Sequence, residues 1–302
     1  MKITITGASG FVGINLQQYL KDLYQINTLS IRYISDQKIE ISSDAIIHLA
    51  GKAHDLKKVS KPSDYYEANF ELTKQLFDAF LISKANVFIF MSSVKASSDK
   101  VEGILSEDNT CNPKTHYGIS KNKAEEYILS KKLPDEKRVY IIRPCMIHGP
   151  GNKGNLNLLY NLVSKGIPWP LGSFENQRSF LSVENLCFVI REILDNKSIS
   201  SGIYNVADDL ALSTNELILI LNQTLDKRSN ILKIPISLIS RISRIGDIFK
   251  LPLNSERLQK LTENYVVSNN KIIKAIGKPL PVTTNEGLIK TFKSFRKNNK
   301  LK

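Results

Sequence analysis

The chain has 302 residues, 42% of them apolar, which suffices for one large domain or two that share a core and excludes a disordered chain. Three cysteines (Cys111, Cys145, Cys187) and four histidines (His48, His54, His116, His148) are scattered, with no CxxC and no ligand cluster, so neither a disulfide framework nor a metal site is expected. The net charge of +13 attracts anions, but only the tail from Lys290 to Lys302 is dense in Lys and Arg and no nucleic-acid motif accompanies it, so we expect a solvated surface and no nucleic-acid partner.

Lys2 to Thr6 reads as a first strand, and its apolar run stops at Gly7, too soon for the apolar region of a signal peptide. Phe11 to Tyr24 predicts an amphipathic helix, with Leu16, Leu20 and Leu23 at helical spacing. Ile26 to Arg32 is a second strand. Ala45 to Ala50 and Asn86 to Met91 are continuous apolar runs, as expected of strands buried on both faces, and Tyr65 to Ile82 fits the helix between them. Tyr117 to Leu129 predicts another helix and Arg138 to Ile142 another strand. Strands alternating with helices predict an α/β fold with a Rossmann-type, doubly wound parallel sheet.

After Pro144 the texture changes to Gly- and Pro-containing loops and shorter elements, which predicts a smaller, mainly helical C-terminal region. We place the dinucleotide-type domain at residues 1–165, with 178–198 returning to it, and the second domain at 166–302. Ile234 to Lys250 is amphipathic and basic; packing on the second domain is the expected use of such a helix, and contact with a membrane surface is the alternative. No run approaches the roughly 18 apolar residues of a membrane-spanning helix, so no transmembrane segment is expected and the cytoplasm is the expected location.

Three motifs carry chemistry. In Gly7-Ala8-Ser9-Gly10-Phe11-Val12-Gly13, glycines at three-residue spacing join a strand to a helix. They permit a tight turn and close approach to a pyrophosphate, and the helix start offers free N–H groups and a positive dipole end. A plain glycine-rich turn is the bland alternative, and the strand-before, helix-after context argues for the cofactor. Tyr117 and Lys121 lie four apart on one helix face, where an ammonium favours the phenolate and the pair can exchange a proton with a sugar hydroxyl during hydride transfer. Ser92-Ser93, ending a strand, offers a hydroxyl to the same reacting oxygen.

Together these residues give the chain a resemblance to the extended short-chain dehydrogenase/reductase superfamily, in its NAD-dependent epimerase/dehydratase branch, which acts mostly on nucleotide sugars. The resemblance implies that Gly7, Ser9, Gly10, Phe11, Val12 and Gly13 bind the dinucleotide and that the cofactor lies over Leu49, Ala50 and Gly51. Ser93, Tyr117 and Lys121 fall on the catalytic triad, with Tyr117 and Lys121 also touching the cofactor, and Asn69 matches a structural asparagine. Arg143-Pro144 is similar to the segment that passes the nicotinamide, and Arg178 to an arginine that contacts the nucleotide diphosphate. A homodimer through the helices at Tyr65 to Ile82 and Tyr117 to Leu129 is implied as well.

Departures from the family pattern narrow the reading. The second strand ends in Arg32 where NAD-preferring members place an acid, which leans toward the 2′-phosphate of NADP over NAD. Only twelve residues separate Arg32 from Ala45, so the adenine pocket must be built differently, with Asp36 as a candidate substitute. Val94-Lys95 follows Ser93 in place of the Asp-Glu of dehydratases, which argues against 4,6-dehydration and offers Lys95 to a substrate phosphate. Met146 stands where many members contact substrate through asparagine, and Cys145 receives no role. Ser93, Lys95 and the Arg257 to Lys271 region are similar to reductases of a 4-keto-6-deoxy-2-acetamido sugar nucleotide. The favoured expectation is a UDP-sugar 4-ketoreductase of surface-polysaccharide biosynthesis. A UDP-hexose or UDP-N-acetylhexosamine 4-epimerase is the runner-up, and a noncatalytic dinucleotide sensor is disfavoured by the intact triad.

Overall fold

The computed structural model describes residues 1–53, 61–152, 154–249 and 254–300; His54, Lys250 and the last two residues of the basic tail lie outside them. The strands are β1 (Lys2–Thr6), β2 (Gln25–Leu29), β3 (Ala45–His48), β4 (Val87–Met91), β5 (Ile104–Leu105), β6 (Arg138–Pro144), β7 (Met146–His148), β8 (Arg178–Ser182), β9 (Gly202–Val206), β10 (Ala211–Leu212) and β11 (Val266–Val267). The helices of the first half are α1 (Phe11–Leu20), α2 (Pro62–Tyr66), α3 (Leu72–Ile82) and α4 (His116–Leu129). Those of the second are α5 (Asn155–Ser164), α6 (Val183–Asp195), α7 (Thr214–Thr224), α8 (Ile236–Phe249), α9 (Ser255–Thr262), α10 (Asn270–Ile276) and α11 (Thr284–Lys300).

Six strands form a wholly parallel sheet in the order β2-β1-β3-β4-β6-β9. The expected doubly wound Rossmann-type fold is therefore present. The chain moves outward from β1 to β2 and restarts on the other side of β1 with β3. That reversal is the switch point at which open α/β sheets bind ligands, beyond the carboxyl ends of their strands. β3 and β4 are buried throughout because helices cover both faces, and all their residues but His48 are apolar. Ile47 and Ile89 pack with Leu16 of α1 and Leu186 and Ile190 of α6, whereas Ile46, Phe88 and Phe90 pack with Phe77 and Phe80 of α3 and Ile128 of α4.

β2 is shorter than the expected strand to Arg32. Its ladder with β1 closes at Thr6 opposite Leu29, because the next residue, Gly7, turns away with φ +65° and offers no further partner. Residues 30–44 hold no strand or helix, so β2 is the edge of the sheet.

The helix expected before β4 is interrupted. α2 and α3 are joined by a π-turn at Glu67–Glu71, which turns Asn69 into the interior. A second core gathers Leu156 and Tyr160 of α5, Trp169, Phe180 of β8, Leu217 and Leu221 of α7, and Phe292 and Phe295 of α11. Among the described residues, no helix is long and apolar enough to cross a membrane.

Candidate active site

The glycine loop closes on the switch point. A Cβ at Gly7 would stand 2.6 Å from the Ala50 amide nitrogen and 2.8 Å from the Leu49 carbonyl carbon, so only glycine lets the loop lie against the end of β3. A Cβ at Gly13 would strike the Gly7 carbonyl oxygen, which fixes α1 directly under the turn. Gly10 begins α1 with no side-chain cap, and Ser9 beside it is exposed. The first-turn N–H groups, Phe11 and Val12 among them, thus remain available to an anion, and the loop fits the pyrophosphate of a dinucleotide.

The residues after β3 are held from behind. His48 is fully buried between Thr6 Oγ1 (2.7 Å) and Thr73 Oγ1 (3.0 Å), and burial, reinforced by the charge of Lys121, lowers its pKa to about 3. It is a neutral strut between β1 and α3. Asn69 clamps the chain after Gly51: its Oδ1 accepts from the Lys52 N–H at 2.8 Å, and its Nδ2 donates to the Lys52 carbonyl and to Ser120 Oγ, both at 3.0 Å.

The three triad residues meet at the end of β4. Thr115 caps α4, accepting from the Gly118 N–H at 3.2 Å. A Cβ at Gly118 would collide with the Lys95 carbonyl, so this glycine lets the helix start press against the short turn Val94–Ala96 that follows Ser93. That contact brings the Ser93 hydroxyl to the Tyr117 phenol. Burial pushes the phenol pKa up, and the Ser93 hydrogen bond opposes it. Lys121 is buried and donates to the Met91 carbonyl at 2.7 Å. Burial lowers its pKa from 10.5 to about 7, against the pull of Glu125. A Cβ at Gly51 would lie 3.1 Å from Lys121 Nζ, so the ammonium borders the same groove as the end of β3.

Glu125, one helical turn beyond Lys121, was not singled out in the sequence, and it anchors the floor. Both its oxygens accept from Arg143 Nε at 3.0 Å, Arg143 Nη2 donates to it again, and so does the Ser92 hydroxyl. Both side chains of the ion pair are almost wholly buried. Burial disfavours the Arg143 cation, but Glu125 outweighs it and its pKa is raised. The readable signal was a carboxylate four residues after the lysine and eight after the tyrosine, on the helix face that turns inward.

Lys95, Arg178 and Tyr265 gather from segments distant in sequence. Lys95 Nζ lies 4.2 Å from the centre of the Tyr265 ring and donates to the Asp99 carbonyl at 2.9 Å. Arg178 pairs with Glu263 at 3.6 Å and donates to the Lys260 carbonyl at the end of α9. Burial lowers the pKa of both cations, and Arg178 is among the charges acting on Lys95. Tyr265, unmarked in the sequence, joins them and donates to the Ser98 carbonyl at 2.6 Å. Pro144 ends β6 beside Val206, and Cys145 is buried with its thiol pushed well up by burial. Arg32 and Asp36 are exposed on the irregular segment after β2, and Met146 is half-buried in β7. No group of three or more His, Cys, Asp or Glu residues able to hold a metal occurs among the described residues.

A model of the NAD dependent epimerase/dehydratase family matches residues 3–207. A UDP-glucose 4-epimerase of Vibrio cholerae is 31% identical, covering 98% of this chain and 96% of its own. An N-acetyl-alpha-D-glucosaminyl-diphospho-ditrans,octacis-undecaprenol 4-epimerase of Escherichia coli O157:H7 is 27% identical, with 96% and 93% covered. A UDP-2-acetamido-2,6-beta-L-arabino-hexul-4-ose reductase of Pseudomonas aeruginosa is 25% identical over 72% of this chain and 56% of its own. In fold, the UDP-glucuronic acid 4-epimerase of Bacillus cereus, solved with NAD, superposes with a TM-score of 0.73 at 19% identity, covering 99% of each chain.

Proposed function

Because the chain belongs to the NAD dependent epimerase/dehydratase family, we propose that it oxidises and re-reduces C4 of a UDP-hexose or UDP-N-acetylhexosamine, so that the net reaction is 4-epimerisation. The observation that carries this reading is the pairing of a Ser93-Tyr117-Lys121 site, in which Ser93 and Lys121 are buried and Tyr117 is half-buried, with a 31% identical, end-to-end relative that is a 4-epimerase. The sequence alone favours a reductase. The two relatives that match from end to end shift the preference.

A bound NAD or NADP supplies one thing, an acceptor and donor of hydride. It would be held by Gly7, Ser9, Gly10, Phe11, Val12 and Gly13 at the pyrophosphate, by Leu49, Ala50, Gly51 and Lys121 along its path, and by Pro144 near the nicotinamide. The protein does the rest. Tyr117, entering as the phenolate, takes the C4 hydroxyl proton as the sugar is oxidised and returns it as the sugar is reduced, so the cycle is proton-neutral. Ser93 donates to the same oxygen and holds it in line with the phenol. Lys121 supplies positive charge in a dry setting, where it counts for more than in water. Lys95 and Arg178 grip the diphosphate, which lets the keto sugar turn over without leaving. The absence of an Asp-Glu pair after Ser93 keeps the neighbouring carbons unreacted.

A reductase using NADPH is the second reading, favoured by the open edge at β2 and by Arg32, which would meet a 2′-phosphate. One experiment separates the two. The protein is incubated with UDP-glucose, UDP-galactose and their N-acetyl forms, and the sugars are followed by NMR while cofactor absorbance is recorded. Interconversion with no net change in cofactor supports the epimerase. NADPH consumed one-for-one with a 4-keto UDP-sugar, without interconversion, overturns it in favour of the reductase. We also propose a cytoplasmic homodimer packed through α3 and α4, where Ile82 and Leu129 are left exposed; analytical ultracentrifugation tests it.

A further inference from the structure

The second helix of the substrate side packs with its narrow face. α8 buries Ile239, Ser243 and Gly246, a stripe made mostly of small residues. Its broader apolar stripe lies about a quarter turn further round the helix, beside the packed face. Leu238, Ile242, Ile245 and Phe249 recur at spacings of four, three and four, with Ile248 beside them, and their exposure runs from 40% at Ile242 to 75% at Ile248. Single exposed aliphatics are ordinary on a protein surface, but five on one helix form a patch that needs an occupant. Arg241 stands three residues after Leu238 and four before Ile245, which sets it between Ile245 and Ile248, and Arg244 stands four before Ile248, so both cations lie along the outer edge of the stripe. Both are exposed, and neither enters an ion pair among the described residues. The one acid of the helix, Asp247, is turned aside, accepting from the Ser255 N–H at 2.9 Å and the Ser255 hydroxyl at 2.6 Å.

We infer that α8 docks the protein on an anionic bilayer surface, lying in the interfacial plane with its Leu/Ile/Phe stripe among the acyl chains and Arg241 and Arg244 on lipid phosphates. An apolar stripe edged by arginines on a short helix is the form such helices take, and the chain's net charge of +13 reinforces the attraction. The helix is too short and too charged to cross, so the contact is peripheral. Asp247 ties α8 to α9, and the last turn of α9 offers the Lys260 carbonyl to Arg178. The docking surface is therefore one helix removed from the candidate diphosphate grip. The inference does not depend on which redox reaction the site performs.

The test is co-sedimentation of the full chain with vesicles of phosphatidylglycerol and phosphatidylcholine. Binding is expected, with affinity about tenfold lower on pure phosphatidylcholine. The double variant Ile245→Glu/Phe249→Glu is expected to lose about tenfold or more in affinity while its circular dichroism and turnover stay unchanged. As a gain-of-signal measurement that survives any folding defect in that variant, Phe249→Trp should shift its emission to the blue when the anionic vesicles are added. Failure of the wild-type chain to sediment, equal binding by the double variant, or an unshifted tryptophan would each overturn the inference. So would an oligomer that dissociates in the double variant without any vesicle binding, because a second copy of the chain would then be what covers the stripe.

Discussion

The two ends of the proposed cofactor groove are built on opposite principles. At the deep end, Ser92, Glu125 and Arg143 interlock in a buried hydrogen-bonded wall behind Tyr117, Lys121 is held beside it on the Met91 carbonyl, and burial has moved the pKa of both Tyr117 and Lys121. At the open end, β2 is the edge of the sheet, residues 30–44 are irregular, and Arg32 is exposed. A pre-organised wall costs stability and gives chemistry, because fixed groups need no rearrangement in the transition state. An open end gives neither, and sets only how firmly and how selectively the cofactor's adenosine half is held.

The contrast makes its sharpest demand at Tyr117. Tyr117→Phe removes one proton carrier from the wall, and turnover should fall about 10³-fold with cofactor affinity nearly unchanged. Stopped-flow kinetics and a cofactor titration check both halves; substantial residual turnover would remove Tyr117 from its role. Next comes the wall itself. Glu125→Gln leaves the Arg143 cation buried without its counter-charge and should destabilise the fold by about 3 kcal/mol, read as the shift in urea midpoint. An unchanged midpoint would mean that the ion pair does not hold the wall.

The third effect is a pH signature. Lys121 titrates near 7 folded and 10.5 unfolded, so between those values the unfolded chain binds more protons and stability gained from losing that proton rises with pH. Its burial penalty is complete below about pH 7 and relieved toward 10.5. Lys121→Met should abolish activity yet raise the cofactor-free melting temperature most at pH 6, with the advantage shrinking as pH rises. His48 acts in a lower window: with a folded pKa of about 3 against 6.5, it contributes stability above 6.5 that is lost toward 3, in wild type and variant alike. A pH-independent difference between the two proteins would contradict the Lys121 assignment. The smallest effect belongs to the open end. Arg32→Ala should weaken NADPH about fivefold and leave NADH unchanged, as expected of one exposed ion pair. Equal affinities before and after would show that Arg32 faces only solvent.

Most of the sheet was legible because its cause is local. The runs at Ala45 to Ala50 and Asn86 to Met91 are apolar on both faces, and glycines 10 and 13 are required by contacts a few residues away, whereas Gly7 shows its reason only once the end of β3 is seen against it. What stayed hidden depends on distant partners. β2 was expected to continue to Arg32, but its length is set by where β1 turns off at Gly7. Glu125 resembles any solvated helix carboxylate until Arg143 is seen against it. Tyr265 meets Arg178 through the isolated bridge between residues 178 and 265 and Lys95 through its ring, contacts between segments far apart in the chain. The amphipathic pattern of α8 was visible, whereas which stripe faces inward was not, since Ile239, Ser243 and Gly246 make the less apolar face.

The π-turn at Glu67–Glu71 has the character of an indel fixed inside a helix. A helix carrying one surplus residue is out of phase with itself by about 100° across the insertion. Deleting a single residue there, such as Phe70, would let α2 and α3 fuse into regular α-helix, and that phase shift would be undone. α3 is pinned to the sheet by Phe77 and Phe80, so the rotation would fall on the other side. Asn69 would swing off the Lys52 amide and Ser120, and Asp64 off the Lys52 ammonium it holds at 2.8 Å. The clamp that seats the chain after Gly51 is therefore maintained by helical phase, and a length change of one residue would be felt here as a misaligned cofactor groove.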